Sequence, residues 1–157
     1  LKSAEDVRQA CERIVRQAGD SIPDHQVEGL LIQPEHTGGQ EVIVGFVRDA
    51  QFGPVLMFGT GGVEVEALQD VAFELAPLSR EEAEAMIDRT QAGRKMRGFR
   101  STAPADQEAV IEALLRLSQL ALEQDRIQEL EINPLRVMPK GEGALALDVR
   151  MRVGSIA

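Results

Sequence analysis

Apolar residues recur every three or four positions at the start of the chain, and this spacing predicts an amphipathic helix. The positions are Val7, Ala10, Cys11, Ile14, Val15 and Ala18. Ser3 followed by Asp6 predicts an N-terminal capping box, and Gly19 predicts the end of the helix. Cys11 belongs to the apolar stripe, so we expect a core thiol and not a reactive one.

The middle of the chain changes to short apolar segments that are rich in β-branched and aromatic residues and predict strands. They run from Val27 to Gln33, from Glu41 to Val47, from Val55 to Phe58 and from Asp70 to Leu75. Glycine and proline predict turns at 51–54 and 59–62. In the segment 70–75, strict alternation places Val71, Phe73 and Leu75 on one face.

Helical spacing returns in the second half of the chain. Ser79 and Glu82 predict a capped helix that runs to about Thr90. The basic segment 92–103 is irregular and predicts an ordered connector, and Pro104 predicts the first turn of a wide-faced helix that ends near Glu123. Two strands, at 127–138 and 144–153, close the chain. Strands in hairpins with segregated helices predict an α+β fold with a mostly antiparallel sheet.

The first of these two strands changes its parity at a proline. Leu130 and Ile132 are apolar before Pro134, but Leu135 and Val137 are apolar after it. One extra residue, a β-bulge, explains such a change. If residues 133 and 134 both oppose residue 148, every apolar residue meets an apolar partner, which is how register is normally fixed. The predicted pairs are Leu130–Met151, Ile132–Val149, Leu135–Leu147 and Val137–Leu145.

The same register gathers Glu131, Asn133, Asp148 and Arg150 on a polar face. An Asp carboxylate and an Asn carbonyl are hard oxygen ligands suited to Mg²⁺, which shares its coordination shell with the phosphates of a nucleotide. The alternative is a solvated sheet face with one Glu131–Arg150 pair, and geometry alone favours this alternative.

Composition narrows the class of protein. The 157 residues include 17 Lys and Arg against 26 Asp and Glu, a net charge of −9 that disfavours nucleic acid as a partner. Hydrophobic residues make up 43% of the chain, enough for a core, and no apolar run is long enough for a membrane span. One cysteine suits a cytoplasmic protein. The glycines at 59–62 lack the Lys-Ser/Thr of a P-loop, and neither a zinc site nor a hydrolase nucleophile is indicated.

Several motifs in one order carry a family resemblance. They are EVIVG at 41–45, QFGP at 51–54, VLMFG at 55–59, DVAF at 70–73, EINPL at 131–135 and ALALD at 144–148. Together they resemble the C-terminal portion of the ATP-grasp domain of NDP-forming acyl-CoA synthetases. That family includes ADP-forming acetyl-CoA synthetases and the β subunit of succinyl-CoA synthetases. The resemblance implies that residues 1–33 are the end of the first lobe with a hinge strand. Residues 34–157 are then the C-terminal lobe with the nucleotide-binding sheet.

For the polar face of Glu131, Asn133, Asp148 and Arg150, the resemblance favours a metal site over a solvated sheet surface. Asn133 and Asp148 match the family's Mg²⁺ ligands. Glu131 matches the catalytic glutamate that steadies a phosphohistidine during phosphoryl transfer, by hydrogen bonding to its ring.

Three further positions are implied to contact the nucleotide. Gln33 matches the hinge position that meets adenine, Glu41 matches a nucleotide-contacting acid, and His36 matches another nucleotide-facing position. The chain departs from the succinyl-type pattern at Gln33 and His36. By itself, His36 is equally well explained as a solvated loop residue.

The implied reaction converts acid, CoA and ATP to acyl-CoA, ADP and phosphate through an acyl phosphate and a phosphohistidine. The implied cofactors are Mg²⁺ and ATP or ADP. CoA and the carboxylic acid would bind other domains, including a CoA-binding and phosphohistidine-bearing domain or α subunit. The chain begins at Leu1, and the family's phosphate-binding Lys and Gly-rich loop are not in it. We therefore expect a fragment that is inactive by itself.

Two alternatives come from other functional classes. Related synthetase regions are fused to acetyltransferase domains in bacterial lysine acetyltransferases, where they serve as regulatory modules. A carboxylase or amide-forming ATP-grasp ligase is the other alternative, and the QFGP and DVAF motifs disfavour it.

Overall fold

The computed structural model describes residues 1–21, 29–62, 70–98 and 103–154, and the chain forms two compact units, Leu1–Thr37 and Gly38–Ala157. In the first unit, helix α1 spans Ala4–Ser21. The predicted capping box is confirmed, because Ser3 N donates to Asp6 Oδ2 at 3.0 Å and Asp6 N donates to Ser3 Oγ at 3.1 Å. The predicted end at Gly19 is wrong, because this glycine keeps a helical backbone and α1 continues past it. Cys11 is a free thiol of intermediate burial.

The remainder of the first unit is a connecting segment. The predicted strand at 27–33 begins outside the described residues, and its described part, from 29 to 33, forms neither helix nor strand. The assignment of residues 1–33 to a first lobe stays a prediction.

The second unit is built on a six-stranded antiparallel sheet. Its strands are β1 (Gln40–Asp49), β2 (Gly53–Thr60), β3 (Val71–Leu75), β4 (Ile127–Val137), β5 (Ala144–Ala146) and β6 (Val149–Val153). The order across the sheet is β3-β2-β1-β4, and both β5 and β6 pair with β4. The predicted last strand is therefore two strands, separated by residues 147 and 148.

Three helices complete the second unit: α2 (Arg80–Asp88), α3 (Gln91–Met96) and α4 (Gln107–Glu123). The capping box of Ser79 and Glu82 is present as predicted. The expected irregular connector at 92–103 is wrong for its first part, because Thr90 accepts from Gly93 N at 3.0 Å and caps α3. Pro104 precedes α4 and does not lie in its first turn, since Asp106 is the N-cap. The α+β class is confirmed, and no helix in the described ranges is long and apolar enough to span a bilayer.

The hydrophobic core lies between the three helices and one face of the sheet. Its sheet residues include Val44, Phe46, Leu56, Phe58, Ala72 and Leu130, and its helix residues include Met86, Ile87, Met96, Val110 and Leu114. The predicted apolar face of β3 points away from this core: Phe73 is 53% exposed, whereas its neighbour Ala72 is 8% exposed. The reason is register, because Ala72 pairs with the buried Phe58. We call the opposite side of the sheet, with Gly45, Phe73 and Glu131, the open face.

The predicted bulge in β4 is present, but against a different partner. The pairing of β1 with β4 shifts by one residue between Val42–Leu135 and Val44–Ile132, which leaves the extra residue at 133–134. Against β5 and β6 the register is constant from Glu129 to Val137, and a shift occurs only between Ile127 and Glu129. The pairs Leu130–Met151 and Ile132–Val149 are confirmed. The other two predicted pairs are wrong by one position, because Leu135 pairs with Ala146, and Val137 with Ala144.

Candidate functional site

The predicted metal ligands lie side by side where the bulge of β4 meets the gap between β5 and β6. Asn133 N donates to Asp148 O at 3.0 Å, and Leu147 N donates to Pro134 O at 3.1 Å. The side chain of Asp148 is 54% exposed and forms an ion pair with Arg150, at 3.7 Å from Oδ2 to Nε. The register of β4 against β5 and β6 therefore places an amide next to an accessible carboxylate in the gap between those two strands.

Glu131 lies two residues before Asn133, on the open face. It pairs with Gly45 of β1 on one side and with Arg150 of β6 on the other. A side chain at Gly45 would meet backbone, since a Cβ would lie 2.4 Å from Leu130 O. β1 therefore lies close against β4 at this point, and the buried Gly45 presents no side chain toward Glu131.

Glu41 is held at the same end of the sheet by an arginine that the sequence interpretation missed. Arg136 Nη2 donates to Glu41 Oε1 at 2.5 Å, and Nη1 donates to Gly38 O at 3.0 Å. The side chain of Arg136 is only 15% exposed, so this ion pair is partly shielded from water. Arg136 follows the bulge in β4. The bulge reverses which residues of β4 have their side chains on the open face, and it therefore places Arg136 on that face, opposite Glu41.

A glycine turn after β2 donates hydrogen bonds to the side chain of Asn133 and to the backbone of Glu41. Gly62 N donates to Asn133 Oδ1 at 2.9 Å, and Gly61 N donates to Glu41 O at 3.2 Å. The two amides are therefore bonded to the protein itself. Because these N–H groups already bind protein oxygens, residues 59–62 are better described as a turn at the end of a strand than as a phosphate-binding loop.

Asp70 fixes the base of this turn. Its Oδ2 accepts from Thr60 Oγ1 at 2.7 Å and from Ala92 N at 2.9 Å, and its Oδ1 accepts from Gln91 N at 2.8 Å. Burial raises the pKa of Asp70, but the hydrogen bonds from Gln91, Thr60 and Ala92 outweigh burial and hold it below its ordinary value. An ionised Asp70 thus joins the end of β2 to the start of α3.

The donor set fits Mg²⁺ that is shared with a ligand. Asn133 Oδ1 and the Asp148 carboxylate are hard oxygens, the type that Mg²⁺ prefers. Within 1–21, 29–62, 70–98 and 103–154, no group of three His, Cys, Asp or Glu residues could hold a metal ion. The described residues therefore do not supply a complete coordination shell by themselves. Mg²⁺ is usually bound by one or two protein ligands together with water and phosphate oxygens, and the pair of Asn133 and Asp148 fits that arrangement.

Gln33 and His36 belong to the first unit. Both are exposed and lie in the segment before Gly38 that has neither helix nor strand. The structure thus brings together Glu41, Glu131, Asn133 and Asp148, all in the second unit, and the nucleotide contacts of Gln33 and His36 stay predictions.

Nearly the whole chain is similar to proteins of one family. A family model for the ATP-grasp domain matches residues 1–153. The ADP-forming acetate–CoA ligase I of Archaeoglobus fulgidus is 42% identical over 149 residues, which are 95% of this chain and 22% of that protein. The β subunit of ADP-forming acetate–CoA ligase II of Pyrococcus furiosus is 40% identical over 152 residues, 96% of this chain and 64% of that subunit.

A solved structure gives the same match. The dinucleotide-forming acetyl-coenzyme A synthetase 1 of Ca. Korarchaeum cryptofilum, in complex with coenzyme A, Ca-AMPCP and HgCl⁺, superposes with a TM-score of 0.87 at 40% identity. The alignment covers 98% of this chain and 66% of that one. The chain therefore spans about two thirds of the β-subunit-sized relatives and about a fifth of the single-chain ligase.

Proposed function

Because the chain belongs to the ATP-grasp family, we propose that it is the nucleotide- and Mg²⁺-binding part of an ADP-forming acyl-CoA synthetase. The whole protein would convert a carboxylic acid, CoA and ATP to acyl-CoA, ADP and phosphate. The named relatives are ADP-forming acetate–CoA ligases, and the Korarchaeum protein was solved with coenzyme A and a divalent cation on a nucleotide analogue. Those names give no support to an acetyltransferase-linked regulatory module or to a carboxylase or amide-forming ligase.

One observation carries this proposal: Asn133 of β4 is joined backbone to backbone to Asp148, which lies between β5 and β6, and Glu131 is two residues away on the same strand as Asn133. Asn133 and Asp148 would hold Mg²⁺. When bound, the ion would neutralise charge on the phosphate oxygens that share its coordination shell. Glu41, braced by Arg136, would contact the nucleotide at the same end of the sheet.

Glu131 would act on the group that receives or returns the phosphoryl. Its carboxylate would accept the N–H of a phosphohistidine ring, which holds the ring in one tautomer and one orientation. A segment of another domain or subunit would bring such a histidine to the partly buried Glu131. CoA and the acid would bind outside this chain, in a CoA-binding domain or α subunit, and the location would be cytoplasmic.

The first experiment tests the metal pair in the whole protein to which this sequence belongs. Asn133→Ala and Asp148→Ala should each weaken the binding of Mn²⁺·ADP, followed by the electron paramagnetic resonance of Mn²⁺, because each removes a hard oxygen ligand. Both should also abolish acid- and CoA-dependent formation of ADP from ATP. Unchanged turnover in Asp148→Ala would overturn the proposed function.

The second experiment separates Glu131 from its neighbour Glu129. Both lie on β4 with one residue between them, and Glu129 forms an ion pair with Arg152 at 3.2 Å. Glu131→Gln should slow phosphoryl transfer by about 100-fold or more and leave Mg·ADP affinity unchanged. The matched control, Glu129→Gln, should change neither quantity. Equal effects of the two substitutions would argue against the role given to Glu131.

A further inference from the structure

The hydrogen bond from Gly62 N to Asn133 Oδ1, at 2.9 Å, has a consequence for the metal ligand. The two ends of an asparagine amide have nearly the same shape, but only the oxygen accepts hydrogen bonds or ligates a hard cation. A backbone N–H at Gly62 can face only the oxygen. This one bond therefore decides which end of the Asn133 amide lies at the glycine turn.

We propose that Gly62 is a positioning residue that sets the orientation of the Asn133 amide for a divalent cation. The carbonyl oxygen has two lone pairs, so Oδ1 can accept from Gly62 and still offer a lone pair to a metal. Outer hydrogen bonds of this kind orient metal ligands and contribute to metal affinity. The inference rests on the proposed role of Asn133 as a ligand.

The backbone that leads into Gly62 is fixed by two hydrogen bonds. Gly61 N donates to Glu41 O at 3.2 Å, and Thr60, one residue earlier, is bonded to Asp70 through its side chain at 2.7 Å. The turn therefore continues a braced strand end, and the direction of the Gly62 N–H follows from it.

Glycine is required at position 62 for two separate reasons. Its φ is +70°, in the left-handed region that side chains disfavour, and a Cβ would lie 2.4 Å from Glu41 Oε2. Glu41 cannot easily move aside, because the shielded Arg136 holds its other oxygen. A side chain at 62 would thus either push the turn away from Asn133 or break the Glu41–Arg136 pair.

The test compares two glycines in the whole protein. Gly53 has a φ of +77° and nothing within 4 Å of an added Cβ, so Gly53→Ala matches Gly62→Ala in backbone strain alone. Gly62→Ala should weaken Mn²⁺·ADP binding by about 10- to 100-fold, the range for loss of an outer hydrogen bond. Gly53→Ala should leave this affinity unchanged and lower the melting temperature. Equal affinities of Gly62→Ala and the unsubstituted protein would overturn the inference.

A second comparison isolates the orientation of the amide. Asn133→Asp presents an oxygen at either end, so a carboxylate there does not depend on Gly62 to choose its ligating atom. In the Asn133→Asp background, Gly62→Ala should weaken Mn²⁺·ADP binding by less than about threefold, a coupling that a double-mutant cycle measures. The same loss in both backgrounds would mean that the alanine acts only by displacing the turn, and the inference would fail.

Failure of the inference and failure of the proposed function give different results. If Asn133 is not a ligand, Asn133→Ala binds Mn²⁺·ADP as tightly as the unsubstituted protein does. If Asn133 is a ligand but Gly62 does not position it, Asn133→Ala loses affinity and Gly62→Ala keeps it.

Discussion

At the scale of single residues, Asp106 shows how one buried carboxylate fixes separate parts of the chain. Its Oδ1 accepts from Ala109 N at 3.3 Å and caps α4, and its Oδ2 accepts from Gly141 N at 2.9 Å and from Gly143 N at 2.8 Å. The β4–β5 loop is thereby attached to the start of a core helix. The N–H of Gly143 is the largest single influence that lowers the pKa of Asp106 below its ordinary value of 3.8.

A lowered pKa makes this carboxylate a source of pH-dependent stability. The folded state favours the ionised form, so the contribution is complete above pH 3.8 and is lost as the pH falls through the lower, folded pKa. Asp106→Asn should lower the free energy of unfolding near neutral pH by about 1.5–3 kcal/mol. Urea unfolding measured from pH 7 down to pH 3 should show this difference shrinking in the acid range.

The control for Asp106 is the exposed Asp125, where Asp125→Asn should leave the free energy of unfolding nearly unchanged at every pH. A difference between wild type and Asp106→Asn that stays constant down to pH 3 would contradict the assignment of the stability to the ionised carboxylate.

Arg48 is a second residue whose role is structural. Its Nη2 donates to Ala121 O at 2.6 Å and to Gln124 O at 3.3 Å, so it caps the last turn of α4. Arg48→Met keeps the apolar stem but leaves partly buried carbonyls without this donor. We expect it to lower the free energy of unfolding by about 1–3 kcal/mol, measured by urea denaturation.

Arg116 provides the comparison for Arg48, since it forms an exposed pair with Glu112 on the same helix, at 2.7 Å. Arg116→Met should lower the free energy of unfolding by only about 0.3–0.5 kcal/mol. Equal effects of the two substitutions would show that the cap at the end of α4 contributes no more than a surface ion pair.

At the scale of elements, alternation predicts which residues share a strand face but not which face is buried. Val71, Phe73 and Leu75 do lie together, yet the helices cover the face of Ala72. The choice is made by β2, whose Phe58 pairs with Ala72 and is fully buried. A large residue on one strand is matched with a small one on the next, and sequence spacing within β3 does not contain that information.

Two phenylalanines on adjacent strands test this assignment of faces. Phe58 is fully buried and Phe73 is 53% exposed. Phe58→Ala should lower the free energy of unfolding by about 3–5 kcal/mol through lost burial and a cavity. Phe73→Ala, the matched substitution, should lower it by less than about 1 kcal/mol. Thermal unfolding followed by circular dichroism measures both effects. A larger effect of Phe73→Ala than of Phe58→Ala would mean that the core lies on the face of Phe73, and it would contradict the assignment of faces.

The bulge in β4 shows what parity can and cannot establish. The change from Ile132 to Leu135 correctly indicated one extra residue, and apolar matching correctly paired residues 130–132 with 149–151. That is why Glu131, Asn133 and Asp148 could be placed together from sequence. The partner of the bulge was wrong, because β1 lies far away in the chain and parity within β4 does not identify the strand that the bulge faces. Arg136 was missed for the same reason.

At the scale of the whole molecule, the second unit contains the sheet, the core and four of the six predicted site residues. The unit holds Glu41, Glu131, Asn133 and Asp148, whereas Gln33 and His36 lie in the first unit. Local hydrophobic patterns, and the strand pairing that they predict, placed Glu131, Asn133 and Asp148 together. Glu41 rests on resemblance, because its strand pairs with a distant part of the chain. Gln33 and His36 rest on resemblance too, because a segment without helix or strand carries no periodic pattern from which a side chain could be placed.

The chain by itself should bind nucleotide weakly. We propose that the contacts to the phosphates come chiefly from residues outside this chain, which spans 64% of the Pyrococcus furiosus β subunit and 22% of the Archaeoglobus fulgidus ligase. The proposed oxygen ligands, Asn133 and Asp148, and the net charge of −9 attract the metal cation more strongly than the phosphate anions. We expect a dissociation constant for Mg·ADP weaker than about 1 mM, or less than about 4 kcal/mol of binding free energy.

Isothermal titration calorimetry of Mg·ADP into the chain and into the whole protein measures this difference. The whole protein should bind at least about tenfold more tightly, which corresponds to about 1.4 kcal/mol supplied by contacts outside this chain. Asn133→Ala serves as the control in both, because specific binding through the metal must weaken when the ligand is removed. Submillimolar affinity of the chain that is lost in Asn133→Ala would show that these 157 residues alone suffice for recognition. In that case the rest of the whole protein would contribute closure and exclusion of water, and not affinity.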